Sequence, residues 1–316
     1  MIKRIKSLVL LGVMIIGLSG CSNNGHPVDD DNVKITLVLS TGGVNDQSFN
    51  QSAWEGALKA KEEYGVEVSY LESNNDADYI QNIETAVDMD SDLVVGVGFQ
   101  LGDAIKEAAE SYPEQQFAII DSTYEEIPDN IRCLTFDEEQ GGYAAGLIAS
   151  KMTKTGKVGF VGGVDIPTCS RWADGFKRGM EEELSDSNVL IQYTNSFTDA
   201  AKGRVLAEQM VKEGCDILFM ASGAGNSGAL EVIREHNIMG IGVDMPSNYL
   251  APDHIITSGL KNISDALKMT IQDFTEGKYT SGEVKYSLSN GGVGFEETDL
   301  LSDETIRYVK EKLENK

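Results

Sequence analysis

Cysteine is scarce and unpaired: beyond Cys21, near the start of the chain, only Cys133, Cys169 and Cys215 occur. They are widely spaced and form no C-x-x-C, which excludes a disulfide framework and a zinc site and leaves them as buried thiols. The three histidines, His26, His236 and His254, are scattered, and H-E-x-x-H, G-x-x-x-x-G-K-[ST] and G-x-S-x-G patterns are missing. No metal, cofactor or catalytic set is therefore expected. Acids are plentiful, but no pair stands out as a glycosidase couple. Basic residues are outnumbered 26 to 51, for a net charge of −25. Such an acidic field repels nucleic acid and multiply phosphorylated ligands while leaving neutral or cationic small molecules open.

Long hydrophobic runs are also lacking, and the one candidate lies at the start. Lys3, Arg4 and Lys6 precede a nearly continuous apolar stretch, Ser7 to Leu18, followed by Leu18-Ser19-Gly20-Cys21. The stretch falls short of the roughly 20 residues a spanning helix needs, so it reads as a signal peptide over residues 1–20. Leu-Ser-Gly-Cys has the form of a bacterial lipobox, which makes Cys21 the lipidated N-terminus of an extracytoplasmic, membrane-anchored protein; an ordinary signal peptide ending in small residues is the alternative. Residues 21–32, with Asp29-Asp30-Asp31, read as an acidic, flexible tether. Their spacing does not fit a calcium loop.

From Val33 onward short apolar runs alternate with segments of helical period. Strands are expected near 33–39, 66–71, 93–99 and 117–121, and again near 157–161, 189–193, 217–221 and 238–243, with helices between them. This alternation predicts an α/β protein of two Rossmann-like lobes with parallel sheets joined by crossing hinge strands. Lobe 1 is assigned 33–136 plus 256–282, and lobe 2 is assigned 137–255 plus 283–316. A weak internal repeat supports two lobes: "STGGVNDQSFNQSAWEG" and "GFVGGVDIPTCSRWADG" share a strand end, Gly-Gly-Val, a polar loop and a tryptophan.

Those residues are Trp54 and Trp172, the only tryptophans in the chain. Ligands of open parallel sheets bind beyond the carboxyl ends of the strands, so matched tryptophans on facing lobes suit a flat ligand gripped from both sides; each also fits a core-capping role. Asn45 and Asp46 suit the edge of a base, or an Asx turn and helix cap. Asp121 closes "FAIID" and Asp244 closes "IGVD", each a lone acid placed to accept the two hydrogen bonds of a ribose diol, or else simply solvated. A nucleoside fits this set.

The stretch 223–228, GAGNSG, matches G-x-G-x-x-G, follows the strand "ILFMA" and has Asp244 downstream. Two readings follow. One is an NAD-binding enzyme; the other is ribose-site architecture in which Gly223 and Gly225 let the backbone approach a nucleoside. The absence of a hydride-transfer catalyst favours the second.

At these residues the sequence resembles the basic membrane protein family, nucleoside-binding lipoproteins of ABC importers with the type I periplasmic-binding-protein fold. The likeness runs from Val33 to Phe295 through "NDQSFNQSAWEG", "VGVGF", "FAIID", "KVGFVGGVDIP", "RWADGF", "SFTDAAKG", "GAGNSG", "IGVD", "TSGLK" and "NGGVGF". The resemblance implies a non-enzymatic, monomeric receptor for purine nucleosides that closes around its ligand and partners a permease. It places Asn45 and Asp46 at the base, Trp54 and Trp172 at stacking positions where members often carry phenylalanine, and Asp121, Asp244 and Lys261 at the sugar. Lys261, beside Asp244, is then expected to keep that carboxylate ionised. A type I receptor for a sugar or signal molecule is the alternative within the same fold.

Overall fold

The computed structural model describes residues 32–314. The first run of elements is β1 (Lys34–Leu39), α1 (Phe49–Tyr64), β2 (Glu67–Glu72), α2 (Asp78–Asp88), β3 (Leu93–Val97), α3 (Gly102–Ser111), β4 (Gln116–Ile120) and β5 (Ile131–Phe136). The second is α4 (Glu138–Met152), β6 (Lys157–Gly162), α5 (Pro167–Glu183), β7 (Asn188–Tyr193), α6 (Ala200–Lys212), β8 (Ile217–Ala221), α7 (Asn226–His236), β9 (Met239–Asp244) and β10 (Ile255–Lys261). Then come α8 (Ile263–Thr275), β11 (Gly282–Tyr286), β12 (Val293–Phe295) and α9 (Asp303–Glu314).

The strands form two six-stranded sheets, ordered β11-β5-β4-β3-β1-β2 and β12-β10-β9-β8-β6-β7. The two orders are the same pattern, with β4 of the first matching β9 of the second. Pairing is parallel except between β10 and β12, which run antiparallel. Central strands such as β3 and β8 are buried along their whole length, as expected of parallel strands covered by helices on both faces.

The chain changes lobe three times. After β5 it enters α4, whose Tyr143, Leu147 and Ile148 pack with Trp172 and Phe176 in the second core. After β10 it returns through α8, whose Ile263, Leu267 and Ile271 pack with Ala53 and Ala57 in the first. Between β11 and β12 it crosses again. Backbone bonds lace these crossings, Asp137 N to Tyr286 O and Asn262 N to Gly292 O, both at 2.8 Å. Helices α4 and α5 lie almost in backbone contact, since a Cβ on Gly175 would meet Glu139 O at 2.1 Å. That approach sets Trp172 and Glu138 close to the crossings.

Strand pairing divides the tail differently from the sequence-based boundaries, which had put 256–282 in lobe 1 and 283–316 in lobe 2. β10 belongs to the second sheet, beside its sequence neighbour β9, and β11 belongs to the first, where it pairs with the distant β5. The strand β5 escapes prediction because Arg132 interrupts its apolar run. The arginine is 4% exposed, paired to Asp273 at 2.7 Å and laid 4.4 Å over the Tyr279 ring. Helix α9, which the sequence reading did not assign, lays the stripe Ile306, Val309 and Leu313 on the second core. The signal peptide, Cys21 and all but the last residue of the tether lie outside the described residues. Among the described residues no helix is long and apolar enough to cross a membrane.

Candidate functional site

Strands β4 and β9 occupy matching places in the two sheets and deliver matching acids. Asp121, directly after β4, and Asp244, the last residue of β9, both have left-handed backbones, with φ of 67° and 66°. A residue with a Cβ reaches that region at some cost in strain. Both carboxylates face one cavity between the lobes, which leaves about 630 Å³ of atom-free space including its mouth.

Charge is concentrated at this floor. Lys261 Nζ lies 2.7 Å from Asp121 Oδ2 and 2.8 Å from Glu138 Oε1. Arg171 Nε donates to Glu138 Oε2 at 2.6 Å, and Ser48 Oγ donates to Asp244 Oδ2 at 2.5 Å. Asp121 Oδ1 is buried with no hydrogen-bond partner. Burial pushes the Asp121 carboxyl up to about 6 despite Lys261, with Glu138 and Asp244 adding to the rise. Asp244 is also raised by burial, against the pull of Lys261 and Ser48. On Glu138 burial acts upward, but Lys261 and Arg171 outweigh it and hold its carboxyl low. On Lys261 the burial penalty is outweighed by Asp121, Glu138 and Asp244, and its ammonium stays protonated. Carboxylates thus outnumber cations at the floor, an environment for a neutral ligand rich in hydrogen-bond donors rather than for an anion.

Asp46 lines the cavity, yet its carboxylate is engaged as a helix cap, accepting the amides of Ser48 at 3.0 Å, Asn50 at 2.9 Å and Gln51 at 3.1 Å. Burial still raises it to about 6, above what those three bonds lower. Lys261 meets the expected Asp244 only through its field; its direct partners are Asp121 and Glu138.

The aromatic lining differs from the expectation. Trp172 reaches the cavity wall but is 3% exposed. It stands edge-on to Phe219 (5.9 Å, 82°) over Gly141 and Gly259, where an added Cβ would come within 2.6 Å of the indole. Trp54 is not in the cavity. It packs against Tyr70 of β2, ring centroids 4.9 Å apart at 72°, at the edge of the first core. Trp172, at the same five-residue offset into α5, does reach the wall, so what separates the two is the packing of Trp54 onto β2 and not its distance from the helix start. Phe49 faces the cavity instead, and Phe197, from the loop between β7 and α6, faces it from the second lobe.

Asn45 is exposed and outside the cavity wall; the side-chain amides found there are Asn50 and Gln100. Of the glycine pattern, Gly223 lines the cavity at φ 59°. Gly225 does not: its carbonyl lies 2.5 Å from where Gly203 would carry a Cβ, so it serves the close approach of α6. Among the described residues no group of His, Cys, Asp or Glu is arranged to hold a metal ion. Sequence reasoning passed over Phe49, Phe197, Ser48, Glu138 and Arg171. Only the phenylalanines carried a signal, each following a serine in a polar loop, in "QSFN" and "NSFT".

Two parallel-sheet lobes closing over a polar cavity at their strand ends define a type I solute-binding protein. Solved structures agree. An ABC transporter solute-binding protein from Aeropyrum pernix K1 aligns with TM-score 0.80 and 30% identity, covering 90% of this chain and 80% of its own. A periplasmic solute-binding protein from Actinobacillus succinogenes 130z with bound D-allose, at TM-score 0.68 and 13% identity over 90% and 100% of the two chains, shares the fold alone.

The family model described as "ABC transporter substrate-binding protein PnrA-like" matches residues 33–316, and the chain belongs to this family, Bmp. Basic membrane protein A of Borreliella burgdorferi is 36% identical, covering 92% of this chain and 86% of the relative. The "ABC transporter nucleoside-binding protein BmpA" of Lactococcus lactis subsp. cremoris is 33% identical, covering 97% and 93%. This is a family of transporter substrate-binding proteins, not of enzymes, and its membership implies a small-molecule ligand and a permease partner.

Proposed function

We propose that the protein captures purine nucleosides between its lobes and hands them to the permease of an ABC importer, as a monomer held to the extracytoplasmic face of the membrane by lipid on Cys21. One observation carries the ligand reading: Phe49 and Phe197, half-buried and borne by opposite lobes, line the same cavity as Asp121, Asp244 and Lys261. A flat base fits between two rings, where stacking is worth on the order of 1–3 kcal/mol per base. The open acceptor Asp121 Oδ1 and the Asp244 carboxylate suit the hydroxyls of a ribose. Lys261 donates to Asp121 and is ion-paired with Glu138 at 2.8 Å, and with three N–H donors it retains at least one for the sugar.

In this reading Trp172 closes the cavity edge, Gly223 meets the ligand through its backbone, and Asp46 presents whatever edge its three amide partners leave. Trp54, Asn45 and Gly225 are not assigned ligand contacts. The nucleoside-binding relative from Lactococcus lactis supports the ligand class, and the Leu-Ser-Gly-Cys motif supports the anchor.

Isothermal titration of the mature chain with guanosine, inosine, adenosine, cytidine and ribose tests the proposal. Micromolar or tighter binding of at least one purine nucleoside, with none of ribose, is expected. Binding of ribose alone, or of none of the five, would overturn it.

A further inference from the structure

Behind the cavity floor sits a charged residue that no ligand in the cavity reaches. Glu138, the first residue of α4, is 0% exposed and is absent from the cavity wall. It follows the first crossing between lobes by two residues, since β5 ends at Phe136, while Lys261 ends β10 immediately before the second. The Glu138–Lys261 pair at 2.8 Å therefore joins two crossings, and Lys261 continues the chain of charge into the first lobe through Asp121.

We propose that Glu138 is a positioning residue of the ligand site: backed by Arg171, it fixes the Lys261 ammonium against Asp121 and so governs how readily the two strand-end aspartates carry their charge. The consequence for ligand rests on the nucleoside reading above; the positioning itself does not.

A lysine is flexible and its ammonium is a point charge; Glu138 is the second-lobe carboxylate in direct contact with it, whereas Asp244 acts only through its field. Glu138 alone, however, would add a further negative charge to an acidic floor. Arg171 offsets it at 2.6 Å from the solvent side, with its side chain 40% exposed. The other groups around this centre are Asp121 after β4, Asp244 on β9, Cys169 on α5, Asp46 ahead of α1 and Asp137 ahead of α4. Removing Glu138 takes a like charge away from Asp121 and Asp244, whereas removing Arg171 takes away an opposing one. Charge alone therefore predicts a fall of the Asp121 midpoint when Glu138 is neutralised, whereas release of the Lys261 ammonium predicts a rise.

The test is a carboxyl carbon NMR titration of the mature protein as wild type, Glu138→Gln and Glu138→Asp, with the Asp121 signal identified by its loss in Asp121→Asn. The Asp121 midpoint is expected to rise in both variants, because neither side chain holds the Lys261 ammonium against it. In parallel, purine nucleoside affinity at pH 7.5 should drop about tenfold in Glu138→Gln, or 1.4 kcal/mol. A fall or an unmoved midpoint in Glu138→Gln, or an unmoved one in Glu138→Asp, would overturn the proposal. Glu138→Asp keeps the buried charge and so keeps the test decisive if Glu138→Gln does not fold. A rise without nucleoside binding to any variant would leave the positioning standing and remove the nucleoside reading.

Discussion

Ser48 and Asp244 are joined across the cleft by a hydrogen bond of 2.5 Å, hydroxyl to carboxylate, with one partner on each lobe. Ser48 precedes α1 in the first lobe, and Asp244 ends β9 in the second. The bond exists only when the lobes are closed, so it stabilises closure and contributes nothing to either lobe alone. Hydrogen bonds to charged groups are worth about 1.5–3 kcal/mol. Ser48→Ala should therefore weaken ligand binding about 10- to 100-fold while leaving the unfolding midpoint of the ligand-free protein in place. Calorimetry and small-angle scattering together check this. An unchanged affinity would mean that closure does not depend on the bond.

The aromatic residues separate by lobe and by packing. Phe49→Ala and Phe197→Ala should each reduce purine nucleoside affinity by about 1–3 kcal/mol, because each removes one face of the slot. Trp54→Ala should leave affinity within about twofold but lower stability by roughly 3 kcal/mol or more, since it truncates a large side chain packed on Tyr70 and the first core. Parallel titrations and urea melts decide the point. A ligand-binding defect in Trp54→Ala with normal stability would return Trp54 to the site.

Much of this fold is legible in the chain because parallel strands announce themselves locally. Runs such as Leu93–Val97 and Ile217–Ala221 are wholly apolar and wholly buried, and the strand-end acids Asp121 and Asp244 stand out directly after such runs. Pairings between distant strands leave no such mark. Nothing within Gly282–Tyr286 says which sheet receives it, because its partner β5 lies about 150 residues earlier in the chain. The two tryptophans part company although each lies five residues into its helix: Trp172 reaches the cavity wall, whereas Trp54 packs on Tyr70 of β2, and nothing in the local sequence separates the two cases. Glu138 and Glu139 are adjacent and identical in type, yet one is 0% exposed and the other has 40% of its side chain in solvent. Only the placement of Lys261 and Arg171 distinguishes them.

Cys169 offers a reporter of occupancy. It lies on the cavity wall at 7% exposure, and burial pushes its thiol up to about 12, with Asp244 and Asp121 adding to the rise against Lys261. Thiolate is the reactive form, so alkylation at pH 8 should be slow in the free protein and slower by at least about tenfold with nucleoside bound, by the mass action that protects a closed state. Cys133 and Cys215, buried in the two lobes with thiols raised to about 11 by burial, should show no such protection. Peptide mass spectrometry after iodoacetamide treatment reads all three. Equal rates at Cys169 with and without ligand would place the ligand elsewhere.

Asp46 gives the clearest dependence on pH. Its carboxyl is raised by burial from an ordinary 3.8 to about 6, so the folded protein binds this proton more tightly than the unfolded chain. The resulting contribution to stability is fully present below about pH 4 and is lost as pH rises through 6. A neutral asparagine cannot titrate and has no such dependence. Wild-type stability, measured against Asp46→Asn, should therefore decline by on the order of 2 kcal/mol between pH 4 and pH 7. Alanine should cost a further 1–2 kcal/mol or so at every pH, because it leaves the amides of Ser48, Asn50 and Gln51 at the start of α1 without their acceptor. Urea melts of the three proteins across this range separate the two effects. If the difference between wild type and Asp46→Asn stays flat from pH 4 to 7, the carboxyl is ionised throughout, and the cap must hold it more strongly than burial opposes it.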